Sequence, residues 1–248
     1  MFPLKDNIPT LRFPAVTVAL IVLNAIVYFF LQDGLLGLPS GGEAGDWPVS
    51  TYAYIPCTIT GDAPCQTAPG GPQNWVTVFT AMFMHGSIVH LGGNMLFLWI
   101  FGNNVEDSMG PVKFVVFYLL GGVAATALQT VVSSGEAAEV ANLGASGAVA
   151  AVLGGYLLLF PRARVITVVF IIFFFTILEL PALIFLVIWF GQQALLGYFD
   201  IIQPQGGEGG GVAYFAHIGG FVFGLAAIKL FASERRRRRQ IERVGGLT

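Results

Sequence analysis

The sequence predicts an all-α, polytopic membrane protein with six transmembrane helices. Three observations carry that prediction. Of the 248 residues, 55% are hydrophobic and mean hydropathy is +0.75. Only 10% are charged, where an ordinary soluble domain carries roughly 25%. The cations, moreover, fall in segments that alternate along the chain. Such scarcity of charge excludes a disordered chain, a coiled coil, a collagen and a nucleic-acid-binding domain.

Each crossing follows from an apolar run of roughly 17–25 residues, the length a helix needs to traverse a bilayer. The first covers 13–31, behind a polar head containing Lys5 and Arg12. No small-residue cleavage site follows closely, so it reads as an anchor and not as a removable signal peptide. A loop rich in Gly, Pro, Asp and Thr occupies 32–74. The second run covers 90–101 with a softer lead-in from Trp75, the third 112–132 and the fourth 146–160. Residues 165–199 are apolar but interrupted by Glu179 and Pro181. Two crossings and a turn need roughly 40 residues, so the segment holds one. A proline preceded by a carboxylate marks a helix start, which puts the fifth crossing at 180–199 and leaves 165–178 as a buried or interfacial lead-in. A glycine-rich loop at 206–211 precedes the sixth crossing at 213–231. The domain reading is a single membrane domain: a cytoplasmic head (1–12), the six-helix core (13–231) and a basic cytoplasmic tail (232–248).

The positive-inside rule supports six crossings over seven. With the N-terminus inside, all twelve cations (Lys5, Arg12, Lys113, Arg162, Arg164, Lys229, Arg243 and the run 235–239) fall in the head, two inner loops or the tail. The outer loops hold acids instead: Asp33, Glu43, Asp46, Asp62, Glu136, Glu139 and Glu208. A seventh crossing would export the arginine run. Cys57 and Cys65 share the first outer loop, where a disulfide can persist; a bridge and two free thiols both remain open.

Three constellations could carry chemistry. His90 and Asn94 are spaced i, i+4 on the second crossing and share a face, with Gly92 and Gly93 thinning the helix between them. Taken alone, the pair reads more readily as interhelical hydrogen bonding than as a functional site. Ser146 opens the fourth crossing between Gly144 and Gly147, where exposed backbone N–H groups and the helix dipole favour an oxyanion. A plain N-cap serine is the competing reading. His217 begins the sixth crossing, one turn before Gly220 and Gly224, whose G-x-x-x-G face permits close backbone packing. Packing of that face on the fourth crossing brings His217 toward Ser146, where a base would activate the hydroxyl. In the six-crossing topology His90, Asn94, Ser146 and His217 share one depth near the outer side. No carboxylate is placed to orient His217: Glu106 lies about 18 Å further in than Asn94 along a helix, so the expectation is a Ser–His dyad.

In combination these residues resemble the rhomboid intramembrane serine proteases. The motifs are His85-x4-His90-x3-Asn94, Glu106-x3-Gly110, Gly144-x-Ser146-Gly147 and Ala216-His217-x2-Gly220-x3-Gly224, and the resemblance covers 75–230. It implies a rhomboid-like bundle with Ser146 as nucleophile and His217 as general base. It also implies an oxyanion held by Asn94, His90 and the N–H groups around Ser146 and Gly147, with Gly220, Gly224, Glu106 and Gly110 serving packing. Two departures stand: Trp75-Val76 where many members have Trp-Arg, and Ala150 where some place a tyrosine against the histidine. The expected function is cleavage of single-span membrane proteins in a cell membrane, with the active site opening outward. No cofactor, metal or nucleic acid is expected, and membrane lipids are the other partner. A small transporter would show repeated halves, which are missing. A catalytically silent relative that binds membrane clients is the alternative.

Overall fold

The computed structural model describes residues 1–32, 49–61, 65, 72, 74–171, 174–202 and 212–243. Asp33, Glu43, Asp46, Asp62, Glu208 and the glycine-rich loop 206–211 lie outside the described residues.

The chain runs β1 (Phe2–Asp6), α1 (Ala15–Ile26, continued by a π-helical turn Val27–Gln32), two single-turn helices α2 (Val49–Tyr52) and α3 (Cys57–Thr60), then α4 (Asn74–Thr80). Next come α5 (Ile88–Phe97), a π-helical turn (Leu98–Gly102) and α6 (Asn103–Met109), which together form one rod. After them follow α7 (Pro111–Val132), α8 (Ser146–Leu159), β2 (Arg164–Ile171), β3 (Phe174–Pro181), α9 (Ala182–Ile202), α10 (Tyr214–Phe231) and α11 (Glu234–Arg243). Cys57 and Cys65 are joined by a disulfide.

Among the described residues, four helices are long and apolar enough to cross a membrane: Ala15–Gln32, Pro111–Val132, Ala182–Ile202 and Tyr214–Phe231. A fifth is gained if the bent pair Asn74–Phe83 and Ile88–Met109, angled at 81°, forms one span. The fourth run predicted from sequence forms α8, which has only 14 residues. At 1.5 Å per residue it is roughly 21 Å long against a hydrocarbon core of about 30 Å. It tolerates this because protein wraps it: every residue from Gly147 to Leu157 is buried. Glycines permit the wrapping. A Cβ on Gly220 would land on the Gly147 carbonyl, one on Gly224 on the Ala151 carbonyl, and one on Gly154 on the Phe221 carbonyl, so α8 and α10 touch backbone to backbone.

The buried or interfacial lead-in expected at 165–178 is made of β2 and β3. They form a hairpin in a three-stranded antiparallel sheet ordered β1-β2-β3, with Thr167 opposite Leu178 and Val168 opposite Ile177. The cause is the β-branched series Val165 to Val169, which favours strand over helix. Open sheet edges do not survive in hydrocarbon, which puts this sheet at the membrane surface. Glu179 therefore sits in β3, paired with Arg164 at 3.5 Å, and α9 starts after Pro181.

One end of the bundle is closed by a polar network. Glu106 accepts from the N–H groups of Val16 (3.0 Å) and Thr17 (2.7 Å) and from the Thr17 hydroxyl (2.8 Å), capping α1 where Pro14 leaves no side-chain cap. Asp107 accepts from Leu11 N–H at 2.6 Å. Asp6 accepts from Asn104 (2.7 Å) and the Tyr156 hydroxyl (2.5 Å), and its burial pushes its carboxyl up to about 7. Gly110 turns the chain into α7 with φ 92°, and a Cβ there would stand 2.6 Å from an Arg236 guanidinium nitrogen. The N-terminal head and α11 thus meet at the same end, where Gln240 also donates to the Asn104 carbonyl.

Candidate active site

Ser146 begins α8 because the chain must reverse just before it. Gly144 has φ 126°, a conformation that favours glycine, and its N–H donates to the Ala81 carbonyl at 2.9 Å, tying the turn to the single 3₁₀ turn Ala81–Phe83 that ends α4. Tyr54 and Asn142 exchange backbone hydrogen bonds of 3.0 and 2.6 Å, which fasten the first loop to the same turn. The α8 ladder begins with Val149 N–H donating to Ala145 O, so the N–H groups of Ser146, Gly147 and Ala148 stand at its open end. Ser146 and Gly147 line a narrow cavity of about 40 Å³ with Gly144, Ala216, Tyr54 and Thr126. That volume has room for a water molecule.

His90 lies over the same turn. A Cβ on Gly144 would stand 2.9 Å from His90 Nε2 and 3.6 Å from Ser146 Oγ, so ring and hydroxyl share the space above this glycine. Ser87 caps α5 by accepting from His90 N–H at 3.1 Å, which sets where the His90 side chain leaves the helix. Asn94 follows one turn later; it is buried, and its Nδ2 has no partner among the described residues. His85 is 1% exposed, with both ring nitrogens likewise unpartnered, and stands edge-on to His90 at 5.1 Å. Gln32 holds the His85 backbone from both sides, accepting from its N–H (2.9 Å) and donating to its carbonyl (3.1 Å).

His217 is brought in by α10. The Ala216 N–H, in that helix's first turn, is shared between the Ala213 carbonyl and Gln129 Oε1 of α7, each at 3.1 Å. The Ala216 carbonyl would lie 3.6 Å from a Cβ on Gly147, which puts the turn bearing His217 against the turn bearing Ser146. No hydrogen bond joins Ser146 Oγ to the His217 ring among the described residues; such contacts often tighten only with substrate. Sequence reasoning missed the ring's support. Gln193 Oε1 lies 2.9 Å from His217 Nδ1, and the Trp189 ring lies 6.0 Å away, tilted by 34°. Both come from α9, and their signal was an i, i+4 pair with a polar member in an apolar helix. Ala150, at the position where an aromatic support was expected, is fully buried in the core.

A serine, a histidine with a fixed ring and unpartnered donors thus converge at the start of a buried helix, with glycines where backbones touch. The rhomboid domain profile matches residues 72–234, which include every one of these groups except Gln32 and Tyr54. The chain belongs to the rhomboid family. This rhomboid is 29% identical over 160 residues to presenilin-associated rhomboid-like protein A, mitochondrial, of Danio rerio, covering 63% of the chain and 38% of that relative. It is 32% identical over 97 residues to rhomboid protein 1, mitochondrial, of Saccharomyces cerevisiae, covering 38% of the chain and 28% of the relative. It is 40% identical over 75 residues to rhomboid-like protein 11, chloroplastic, of Arabidopsis thaliana, covering 30% and 26% respectively. The matched stretches span less than half the length of each relative. Among the described residues, no group of three His, Cys, Asp or Glu side chains could hold a metal ion.

Proposed function

We propose that this rhomboid is an intramembrane serine endopeptidase that cleaves single-span membrane proteins within or beside their transmembrane segments. The observation that carries the reading is the backbone contact of α10 on α8 at Gly220 and Gly147, one turn from His217 and beside Ser146. His217 takes the Ser146 proton as Oγ attacks the carbonyl, then passes it to the leaving amine. The developing oxyanion is met by the N–H groups at the open end of α8 and by Asn94 Nδ2, with His90 adjoining. Water for deacylation occupies the cavity beside Ser146.

The shortness of α8 favours a recessed site, since a helix of roughly 21 Å begins below one surface of a bilayer about 30 Å thick. With six crossings, the cation-bearing head and tail face the cytoplasm of a cell membrane and Ser146 opens to the opposite side. A substrate helix must unwind to offer its carbonyl, so weak helix formers near the cut are preferred. Access is by movement of α9. The test is cleavage of a reporter with one transmembrane segment in proteoliposomes. The expected result is a product absent with Ser146→Ala and with His217→Ala; cleavage that persists in both variants overturns the assignment.

A further inference from the structure

A neutral imidazole carries its proton on either Nδ1 or Nε2, and only the bare nitrogen can accept the proton of a serine. A soluble triad settles the choice with a carboxylate on Nδ1. Among the described residues, Glu106 and Asp107 are engaged with the N-terminal segment at the other end of the bundle. What His217 Nδ1 meets instead is the Gln193 side-chain amide at 2.9 Å.

The orientation of that amide is fixed by its other half. Gln193 Nε2 donates to the Trp189 carbonyl one turn earlier, a long bond of 3.4 Å. Flipping the amide would set Oε1 against that carbonyl, two acceptors facing each other with no proton between them. Oε1 therefore points at Nδ1, and since it can only accept, Nδ1 must carry the hydrogen. The lone pair is left on Nε2. Gln193 is 7% exposed, so water does not compete well for the bond. The same helix restrains ring rotation: Trp189 lies across His217 and is itself packed on Phe221 at 6.0 Å and Phe97 at 6.5 Å.

We infer that Gln193 is a positioning residue for His217, holding the tautomer in which Nδ1 is protonated and Nε2 is free to act as base toward Ser146. The inference rests on the Ser146–His217 reading and adds an uncharged third member, supplied by α9, that touches neither substrate nor nucleophile. Being neutral, it selects the tautomer without the charge stabilisation a carboxylate would give the imidazolium.

The test compares Gln193→Leu, which keeps bulk and removes the acceptor, with Gln193→Glu, which keeps an acceptor oxygen at the same reach. Each variant is assayed for cleavage in proteoliposomes, and ¹⁵N-histidine NMR distinguishes protonated from bare ring nitrogens; the chain has three histidines, and His217→Ala assigns the signals. The expected result is a kcat reduced roughly 10- to 100-fold in Gln193→Leu with KM within about twofold, smaller than the roughly 10⁴-fold cost of a wrong tautomer in a charged triad. Gln193→Glu retains most of kcat. Wild-type His217 shows a protonated Nδ1, and Gln193→Leu loses that pattern. Unchanged kcat in Gln193→Leu, equal loss in both variants with an unchanged NMR pattern, or a protonated Nε2 in the wild type overturns the inference. If the wild type shows no Ser146-dependent cleavage, the protease reading fails by itself. The nitrogen signals then still decide the positioning role, since a protonated Nδ1 lost in Gln193→Leu supports it and a protonated Nε2 refutes it.

Discussion

At one end of the bundle the buried carboxylates have their partners, although Asn104 Oδ1, Gln240 Oε1 and Arg236 Nη1 beside them have none among the described residues: Glu106 accepts three hydrogen bonds from α1, Asp107 one from Leu11, and Asp6 two from Asn104 and Tyr156. At the other end His85 has two ring nitrogens and Asn94 an amide nitrogen with no partner among the described residues, beside the open N-terminus of α8. The chain has few polar groups within its spans, and it spends them differently at the two ends. Satisfied groups hold helices together; unsatisfied donors incur a burial cost that a substrate oxygen would relieve. Stability and catalysis should therefore separate by location.

The largest expected effect is at the unsatisfied end. Asn94→Ala removes the proposed oxyanion donor and should lower kcat by roughly 10²–10³-fold while leaving the melting temperature near that of the wild type. Steady-state cleavage and thermal unfolding on one preparation check both halves. Glu106→Ala should do the reverse. It strands the first N–H groups of α1 and should cost about 2–4 kcal/mol of stability, with kcat per folded molecule unchanged. A large kcat loss there without unfolding would break the comparison.

Gly220→Ala tests the joint between the two ends. Its Cβ would land on the Gly147 carbonyl, forcing α10 off α8. We expect about 1–3 kcal/mol of destabilisation, and a cleavage loss that exceeds it because His217 is displaced from Ser146. The smallest effect sharpens the account of the satisfied end. Asp6 is released near 3.8 in an unfolded chain and near 7 in the folded one. The folded state thus binds a proton the unfolded chain has lost, and its contribution to stability declines as pH rises from about 4 to about 7, then levels. Asp6→Asn should remove that decline, so its melting temperature should gain on the wild type from pH 5 to pH 8.

The helical bundle was legible because lipid demands long apolar runs, and 13–31, 112–132 and 213–231 reappear nearly intact as α1, α7 and α10. The hairpin of β2 and β3 was not, because Val, Ile and Phe are as apolar in a strand as in a membrane helix, and hydropathy, the signal used to find the crossings, does not separate the two. Its pairing with Phe2 to Asp6 is a long-range contact that no local pattern announces. Ser146 and His217 could be singled out because each stands among glycines whose spacing implies close helices. Gln193 could not be paired with His217, because two adjacent glutamines, Gln192 and Gln193, in an apolar helix say that a partner exists without naming it or which of them takes it. The disulfide was open for a similar reason: spacing allows the bridge, and only the fold brings Cys57 and Cys65 within 5.7 Å between Cα atoms.

The central claim, that Ser146 is a nucleophile activated by His217, is tested most directly by labelling the detergent-solubilised protein with a fluorophosphonate probe and mapping the adduct by mass spectrometry. The account predicts one adduct, on Ser146, absent in Ser146→Ala and reduced to background in His217→Ala. An adduct on another residue, or undiminished labelling in His217→Ala, would contradict it.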